Sequence, residues 1–167
     1  NTITFDGGIG QVIRDAKSKG SISASFIGGH HDLITADAAA AYQGRLTKCV
    51  RRVIHFRPGI FVMLDEAAAP EPVSFEWRIH ALEEMRLEPA LNRLTIERNA
   101  ARLRVKFLAP ERLAMCQTDL FDPPPENNAP NQWHAAVSPP GRRDQVYYLS
   151  VLAPYRAGEE DSLPAME

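Results

Sequence analysis

Apolar and polar residues alternate with a period of two along much of the chain. Residues 73–82 show this most clearly, with Phe75, Trp77, Ile79 and Ala81 on one face and Glu76, Arg78 and His80 on the other. Such alternation is typical of a β-strand that has one face in the core and the other in solvent. We therefore predict that Trp77 is buried and that His80 lies on a polar face. Residues 101–107 show the same pattern.

A second pattern is a continuous apolar run. Residues 53–56 form one β-rich segment, Arg57-Pro58-Gly59 interrupts it, and residues 60–64 contain no polar side chain. A turn between two strands explains the interruption, because proline and glycine would break a helix there. Five apolar residues in a row suit a strand covered on both faces. The pattern therefore predicts that residues 60–64 form the centre of the core.

Taken together, the patterns predict roughly ten short strands separated by turns, with little helix. The economical arrangement is an all-β fold, an antiparallel β-sandwich. We expect one domain over residues 1–156 and an acidic, frayed tail over residues 157–167. Residues 122–131 are rich in proline and asparagine and are expected to form an exposed loop.

The clearest exception to the strand pattern follows Asp37. Four alanines after this residue favour a turn of helix with Asp37 as its N-cap. The alternative is an irregular connection that presents Tyr42.

The bulk composition is that of a soluble globular protein. The chain has 167 residues, 44% of them hydrophobic and 24% charged. A net charge of −2 and runs of Lys or Arg no longer than two residues argue against nucleic-acid binding. The apolar runs are too short to cross a membrane. Cys49 and Cys116 lack the close spacing of a metal knuckle; they could pair, but two buried thiols are the simpler interpretation.

Candidate chemistry is sparse. His30 and His31 are the candidate catalytic residues, because imidazoles can bind metal or relay protons. Adjacent residues on an extended chain point in opposite directions, so at most one of them would face a given site. The alternative is that His30 and His31 belong to a polar loop after Gly28-Gly29 and have no catalytic role. His134 has no evident partner, and the neighbours Asp65 and Glu66 are expected to face apart where a strand ends at solvent.

Several segments together resemble a known family. They are Asn1-Thr2-Ile3-Thr4-Phe5-Asp6-Gly7; Ile34-Thr35-Ala36-Asp37-Ala38 with Tyr42; Arg51-Arg52-Val53 followed by Arg57-Pro58-Gly59-Ile60-Phe61-Val62-Met63-Leu64-Asp65-Glu66; and Trp77-Arg78-Ile79-His80. In order and spacing, this set resembles the C-terminal region of heparinase II/III-like polysaccharide lyases. The resemblance covers roughly residues 1–82.

The resemblance implies a bacterial enzyme, periplasmic or secreted, with an N-terminal α/α toroid and a C-terminal β-sandwich. Members cleave uronic-acid-containing glycans by β-elimination, which requires a base, an acid and screening of the carboxylate charge. It also implies a zinc ion bound by residues upstream of Asn1, so no metal ligand or cofactor is expected in this chain. Asp37 and Tyr42 match the family pattern and are expected to be structural.

The leading hypothesis is therefore the sandwich domain of such a lyase, inactive without its toroid. Its expected partners are that toroid and an acidic polysaccharide, and the exposed docking face could form a homodimer. One alternative is a carbohydrate-binding module, for which Trp133 is the candidate sugar platform. Another is a structural sandwich that mediates oligomerisation through its edge strands.

Overall fold

A computed structural model describes residues 2–121 and 132–163, and strands make up most of the regular structure in this part of the chain. Its twelve strands are β1 (Ile3–Phe5), β2 (Ser21–Ile27), β3 (His31–Asp37), β4 (Lys48–Phe56), β5 (Ile60–Val73), β6 (Phe75–Ala81), β7 (Arg86–Glu88), β8 (Arg93–Arg98), β9 (Ala101–Ala109), β10 (Ala114–Thr118), β11 (Trp133–Ser138) and β12 (Arg143–Arg156). Short 3-10 helices span Ala39–Tyr42, Pro89–Leu91 and Glu160–Ser162. The predicted all-β class is confirmed, although β5 and β12 have 14 residues each and are not short.

The strands form two antiparallel sheets that pack as a sandwich. One sheet has the order β1-β6-β11-β10, and the other has the order β2-β3-β4-β5-β12-β9-β8-β7. Between them lies the core, to which β6 contributes Phe75 and Trp77 while β9 and β12 contribute Phe107 and Tyr148. Trp77 is only 2% exposed, as its alternating pattern predicted.

The prediction that residues 60–64 are covered on both faces was wrong. Met63 is buried, but Val62 and Leu64 are half-buried. Successive side chains of a strand point to opposite faces, and the described residues form only two layers. One face of β5 therefore meets the core while the other forms the outer surface of the larger sheet. The apolar residues of this run that face outward therefore lie on a half-buried surface and not inside the core.

A buried carboxylate connects the two sheets. Asp65 on β5 is 2% exposed, and its Oδ2 accepts a hydrogen bond of 2.8 Å from the indole nitrogen of Trp77 on β6. The guanidinium of Arg51 on β4 donates to both carboxylate oxygens, at 2.5 and 3.1 Å. Glu66 points to the outer face and pairs with Lys48 and Arg52. The two carboxylates face apart, as predicted, but both are ion-paired within a long strand rather than at its end.

The alanine-rich segment forms the predicted helical turn, a 3-10 helix over Ala39–Tyr42. The N-cap of this helix is Ala38, so the prediction of Asp37 as the N-cap was wrong by one residue. Asp37 ends β3, and its carboxylate accepts a hydrogen bond of 2.8 Å from the Ala39 amide at the start of the turn. Tyr42 is completely buried, and its hydroxyl donates to the carbonyl of Ile3 on β1. Burial raises the pKa of Tyr42. The segment does not present Tyr42 to solvent; instead the side chain ties this turn to the smaller sheet.

The remaining predictions concern segments at the surface. Cys49 and Cys116 are both free; Cys49 is half-buried, but Cys116 is exposed on β10, so the expectation of two buried thiols was wrong for Cys116. The predicted loop at residues 122–131 lies outside the described residues, and so do residues 164–167 of the predicted tail. None of the helices described here has the length and apolarity of a membrane span.

The buried ion pair generates a stability prediction. Replacement of Asp65 by alanine should lower the free energy of unfolding by about 3 kcal/mol or more, because Arg51 loses its partner and Trp77 loses its acceptor. Glu66→Ala is the matched control on the opposite face, where the partners Lys48 and Arg52 are partly exposed and surface pairs contribute about 1 kcal/mol or less. Urea unfolding followed by circular dichroism measures both. Equal losses for the two variants would contradict the linking role of Asp65.

Candidate functional site

Two histidines meet on the outer face of the smaller sheet. His80 on β6 and His134 on β11 are direct cross-strand partners, and their ring centroids are 5.7 Å apart. His134 is half-buried, and its Nδ1 is buried without a hydrogen-bond partner in the described part of the chain. Phe121 packs against this pair, with its ring centroid 4.8 Å from that of His134 and 6.4 Å from that of His80. The strand register therefore creates a site that neither histidine suggests alone.

The core holds these two strands in place. The hydroxyl of Tyr148, which is buried, lies 3.3 Å from the carbonyl oxygen of Phe75 on β6 and 3.2 Å from that of Val137 on β11. Val137 is itself paired with Trp77, the residue bonded to Asp65. Hydrogen bonds from the larger sheet thus support both strands that carry the histidine pair, at Phe75 and Val137. We infer that the imidazoles sit on a rigid platform.

An arginine completes the polar wall of the site. Arg78 donates from Nε to Thr4 Oγ1 at 3.0 Å and from Nη2 to Glu76 Oε2 at 2.6 Å, so its guanidinium is fixed in place. Beside it, Gly8 has a φ of +108°, a backbone conformation that favours glycine, and a Cβ at this position would make only an ordinary contact of 3.6 Å with Arg78 Nη2. The cleft has a volume of about 370 Å³ and is lined by Thr2, Thr4, Gly7, Gly8, Arg78, His80, Leu120, Phe121 and His134.

The surroundings of the two imidazoles keep them neutral. Partial burial lowers the pKa of His80, and the neighbouring His134 and Arg78 lower it further. The pKa of His134 is lowered by burial first and by Arg78 second. Because the usual pKa of histidine is about 6.5, both rings are mainly uncharged at neutral pH. A neutral imidazole can accept a proton at one nitrogen and donate from the other, as acid–base chemistry requires.

A metal ion needs more than these two rings supply. Catalytic zinc sites usually have at least three protein ligands. Within residues 2–121 and 132–163, no group of three or more His, Cys, Asp or Glu side chains could hold a metal ion. The described residues therefore do not fit zinc by themselves, and the predicted zinc site upstream of Asn1 stays a prediction.

The histidines singled out from the sequence lie elsewhere. His30 is exposed in the turn between β2 and β3, and His31 begins β3 in the larger sheet. The ring of His31 lies between those of Phe26 and Phe56, with centroid distances of 5.4 and 6.0 Å. The structure does not bring either histidine to the cleft on the smaller sheet. Their catalytic role stays a prediction.

Trp133, the predicted sugar platform of a carbohydrate-binding module, does not lie fully exposed on the surface. It pairs with Ala81 at the start of β11, is half-buried and packs against the hydrophobic core. A sugar platform needs an exposed ring face. The substrate-binding role of Trp133 stays a prediction that its packing does not favour.

Sequence reasoning missed the pairing of His80 with His134. His80 lies on an alternating strand and was assigned correctly to a polar face, whereas the strand of His134 does not alternate. The missing information was the register between β6 and β11, which joins segments far apart in the chain. The only sequence signal was the presence of one histidine on each of two predicted strands.

Several solved structures of heparan sulfate lyase and heparinase III share this fold. A heparan sulfate lyase from Pedobacter heparinus matches 93% of this chain with a TM-score of 0.71 and 17% sequence identity. A heparinase III gene product matches 96% of this chain with a TM-score of 0.74 and 14% sequence identity. A further heparinase III structure matches 96% of this chain with a TM-score of 0.69 and 16% sequence identity. This chain has a heparinase sandwich fold. The resemblance found in the sequence is thereby confirmed for the fold.

The heparinase match covers only part of those proteins. The chain spans about a quarter of their length, 24% in each case, within their C-terminal part. No family model matches the sequence, and a search of curated proteins gave no match either. At these levels of identity the comparison shows the heparinase fold alone.

The lowered pKa values generate a pH prediction. Below about pH 6.5 both histidines are protonated in the unfolded chain but less so in the native state. The unfolded state therefore binds more protons, and the free energy of unfolding decreases as the pH is lowered. The loss develops between the unfolded and the native pKa values. We expect a smaller drop in unfolding free energy between about pH 7.5 and about pH 5.5 in a His80→Gln and His134→Gln double variant than in the wild type.

Urea unfolding at the two pH values measures this difference, and NMR titration of the ring protons measures the two pKa values directly. Arg78→Gln should raise the pKa of both imidazoles, because the nearby positive charge is removed. Arg112→Gln is the control, since Arg112 is an exposed arginine that does not contribute to either shift. Ring titrations above the usual histidine value would contradict the proposed environment.

Proposed function

We propose that this chain is the β-sandwich part of a polysaccharide lyase that cleaves uronic-acid-containing glycans by β-elimination. The observation that carries the proposal is the match of almost the whole chain to one quarter of several heparan sulfate lyase and heparinase III structures. The remaining three quarters of those proteins have no counterpart in this sequence. We therefore propose that the chain is inactive without an upstream α/α toroid, which would form the opposite wall of the substrate cleft.

The histidine cleft is the part of the sandwich that suits this reaction. β-Elimination requires a base that removes the proton next to the carboxylate and an acid that protonates the departing oxygen. His80 and His134, being mainly neutral, could take part in either transfer, and the guanidinium of Arg78, held by its ion pair with Glu76, adds a positioned hydrogen-bond donor beside them. These properties support the cleft as the surface that faces the polysaccharide.

Zinc is a further part of the proposal. The described residues offer two adjacent imidazoles but no third ligand. We propose that the zinc ligands lie upstream of Asn1, as the family resemblance implies. A periplasmic or secreted location in a bacterium belongs to the same proposal.

The two alternatives have less support. A carbohydrate-binding module needs an exposed aromatic platform, and Trp133 is half-buried against the core. A structural sandwich that works through its edges predicts no catalytic role for the histidine cleft. The lyase assay below separates both from the leading proposal.

The decisive experiment compares this chain with a protein extended upstream through the toroid. Both are incubated with a panel of uronic-acid polysaccharides, and the ultraviolet absorbance of the unsaturated uronate product is followed. We expect activity only in the extended protein, because the sandwich supplies one wall of the cleft. Activity in neither protein would contradict the lyase proposal, and activity in this chain alone would contradict its dependence on a toroid.

Histidine variants of the extended protein locate the chemistry. Replacement of His80 or His134 by alanine should lower kcat/KM by about 100-fold or more, as expected when a general acid or base is lost. His30→Ala and His31→Ala are the competing variants in the larger sheet. If these two abolish activity while His80→Ala and His134→Ala do not, the cleft on the smaller sheet is not the site of the reaction.

A further inference from the structure

The larger sheet has one long, open edge. Within residues 2–121 and 132–163, strand β2 pairs with β3 alone, and all seven of its residues are exposed. The other sheet edges in the described part of the chain are shorter, since β1 and β7 have three residues and β10 has five. An edge strand presents a row of backbone donors and acceptors that another strand can use. Strand β2 is therefore the strongest candidate for pairing with a further strand.

The sequence of β2 does nothing to prevent such pairing. Ser21–Ile27 contains no charged residue and no proline, the two residue classes that usually protect an edge. Its large apolar side chains are exposed, with Ile22 at 69%, Phe26 at 52% and Ile27 at 72%. The only irregularity is a bulge near Ser23, which leaves Ala24 to Ile27 in regular pairing with β3. An uncharged, apolar and mostly regular edge is suited to a partner strand of the same character.

We propose that a second copy of this chain occupies this edge, with β2 and its counterpart paired antiparallel about a two-fold axis at Ser25. This register places Ala24 opposite Phe26 of the second copy. By symmetry, Phe26 lies opposite Ala24 of the second copy. Both residues point to the outer face of the sheet, because they lie opposite Thr35 and Leu33 on β3. Each large side chain therefore meets a small one. The two serine hydroxyls at the axis can form a hydrogen bond.

The surface next to β2 favours this occupant. Phe26, His31 and Phe56 form a row of rings across β2, β3 and β4, with Phe26 and Phe56 both exposed. Symmetric pairing brings the two rows together at the axis and covers part of each Phe26. A charged partner strand would gain no ion pair from β2, whereas a second copy brings no charge to the shared edge. The pairing is independent of the proposed lyase activity, because the histidine cleft lies on the other sheet.

The first test is the mass of this chain in solution. A small isologous interface of one shared strand should have a Kd of about 10 to 100 µM. Analytical ultracentrifugation should therefore show a reversible monomer–dimer equilibrium in that concentration range. The proposal is overturned if the chain keeps the mass of a monomer at every concentration up to about ten times the upper limit of this Kd range.

A charge-swap experiment tests the register. Ser25→Lys and Ser25→Glu should each weaken dimerisation by about tenfold or more, because like charges meet at the axis. An equimolar mixture of the two variants should recover a heterodimer, since opposite charges then face each other. Ala114→Lys is the matched control, because Ala114 is an exposed residue on β10, the edge of the other sheet.

Circular dichroism confirms that each variant is folded before its mass is measured. If Ala114→Lys weakens the dimer as much as Ser25→Lys, the interface is not at β2. If the folded variants fail to form a heterodimer when mixed, the register about Ser25 is wrong and the proposal is overturned.

Discussion

The structure depends on one buried carboxylate. Asp65 takes part in the larger sheet through its backbone, accepts a hydrogen bond from Trp77 of the smaller sheet, and is neutralised by Arg51 on the neighbouring strand. A buried charge is tolerated only where its partners are in place. The two sheets therefore have a preferred relative position, because a shift between them would leave this carboxylate without its indole partner.

This constraint reaches the candidate site through strand register. Trp77 belongs to β6, and the same strand carries His80 three residues further on, on the opposite face. Tyr148 provides a second support, since its hydroxyl contacts carbonyl groups of both β6 and β11. The internal face of the smaller sheet thus holds the strands whose external face presents the two imidazoles. A cleft with a rigid floor suits acid–base chemistry, which requires donors and acceptors at fixed positions.

The two sheets have different surroundings, and this suggests different roles. The smaller sheet carries a polar outer face with the exposed His80, the half-buried His134 and a fixed arginine. The larger sheet carries a half-buried outer face, where apolar residues lie beside the ion pairs of Glu66, and an uncharged edge. Under the proposed function the first faces the polysaccharide, and under the proposed strand pairing the edge of the second faces another copy of the chain. Separation of the two surfaces on opposite sides of one sandwich allows binding of a partner without obstruction of the cleft.

The sequence by itself determined the class of the fold, because alternation of apolar and polar residues is a local property. It was sufficient to predict strands over most of the chain, the burial of Trp77 and the helical turn supported by Asp37. Three features were decided only by the tertiary structure. The His80 and His134 pair depends on register between distant strands, the half-buried outer face at Val62 and Leu64 depends on the number of layers, and the open edge at β2 depends on strand order. Each arises from backbone hydrogen bonds between segments far apart in the chain, which local patterns of side chains do not encode.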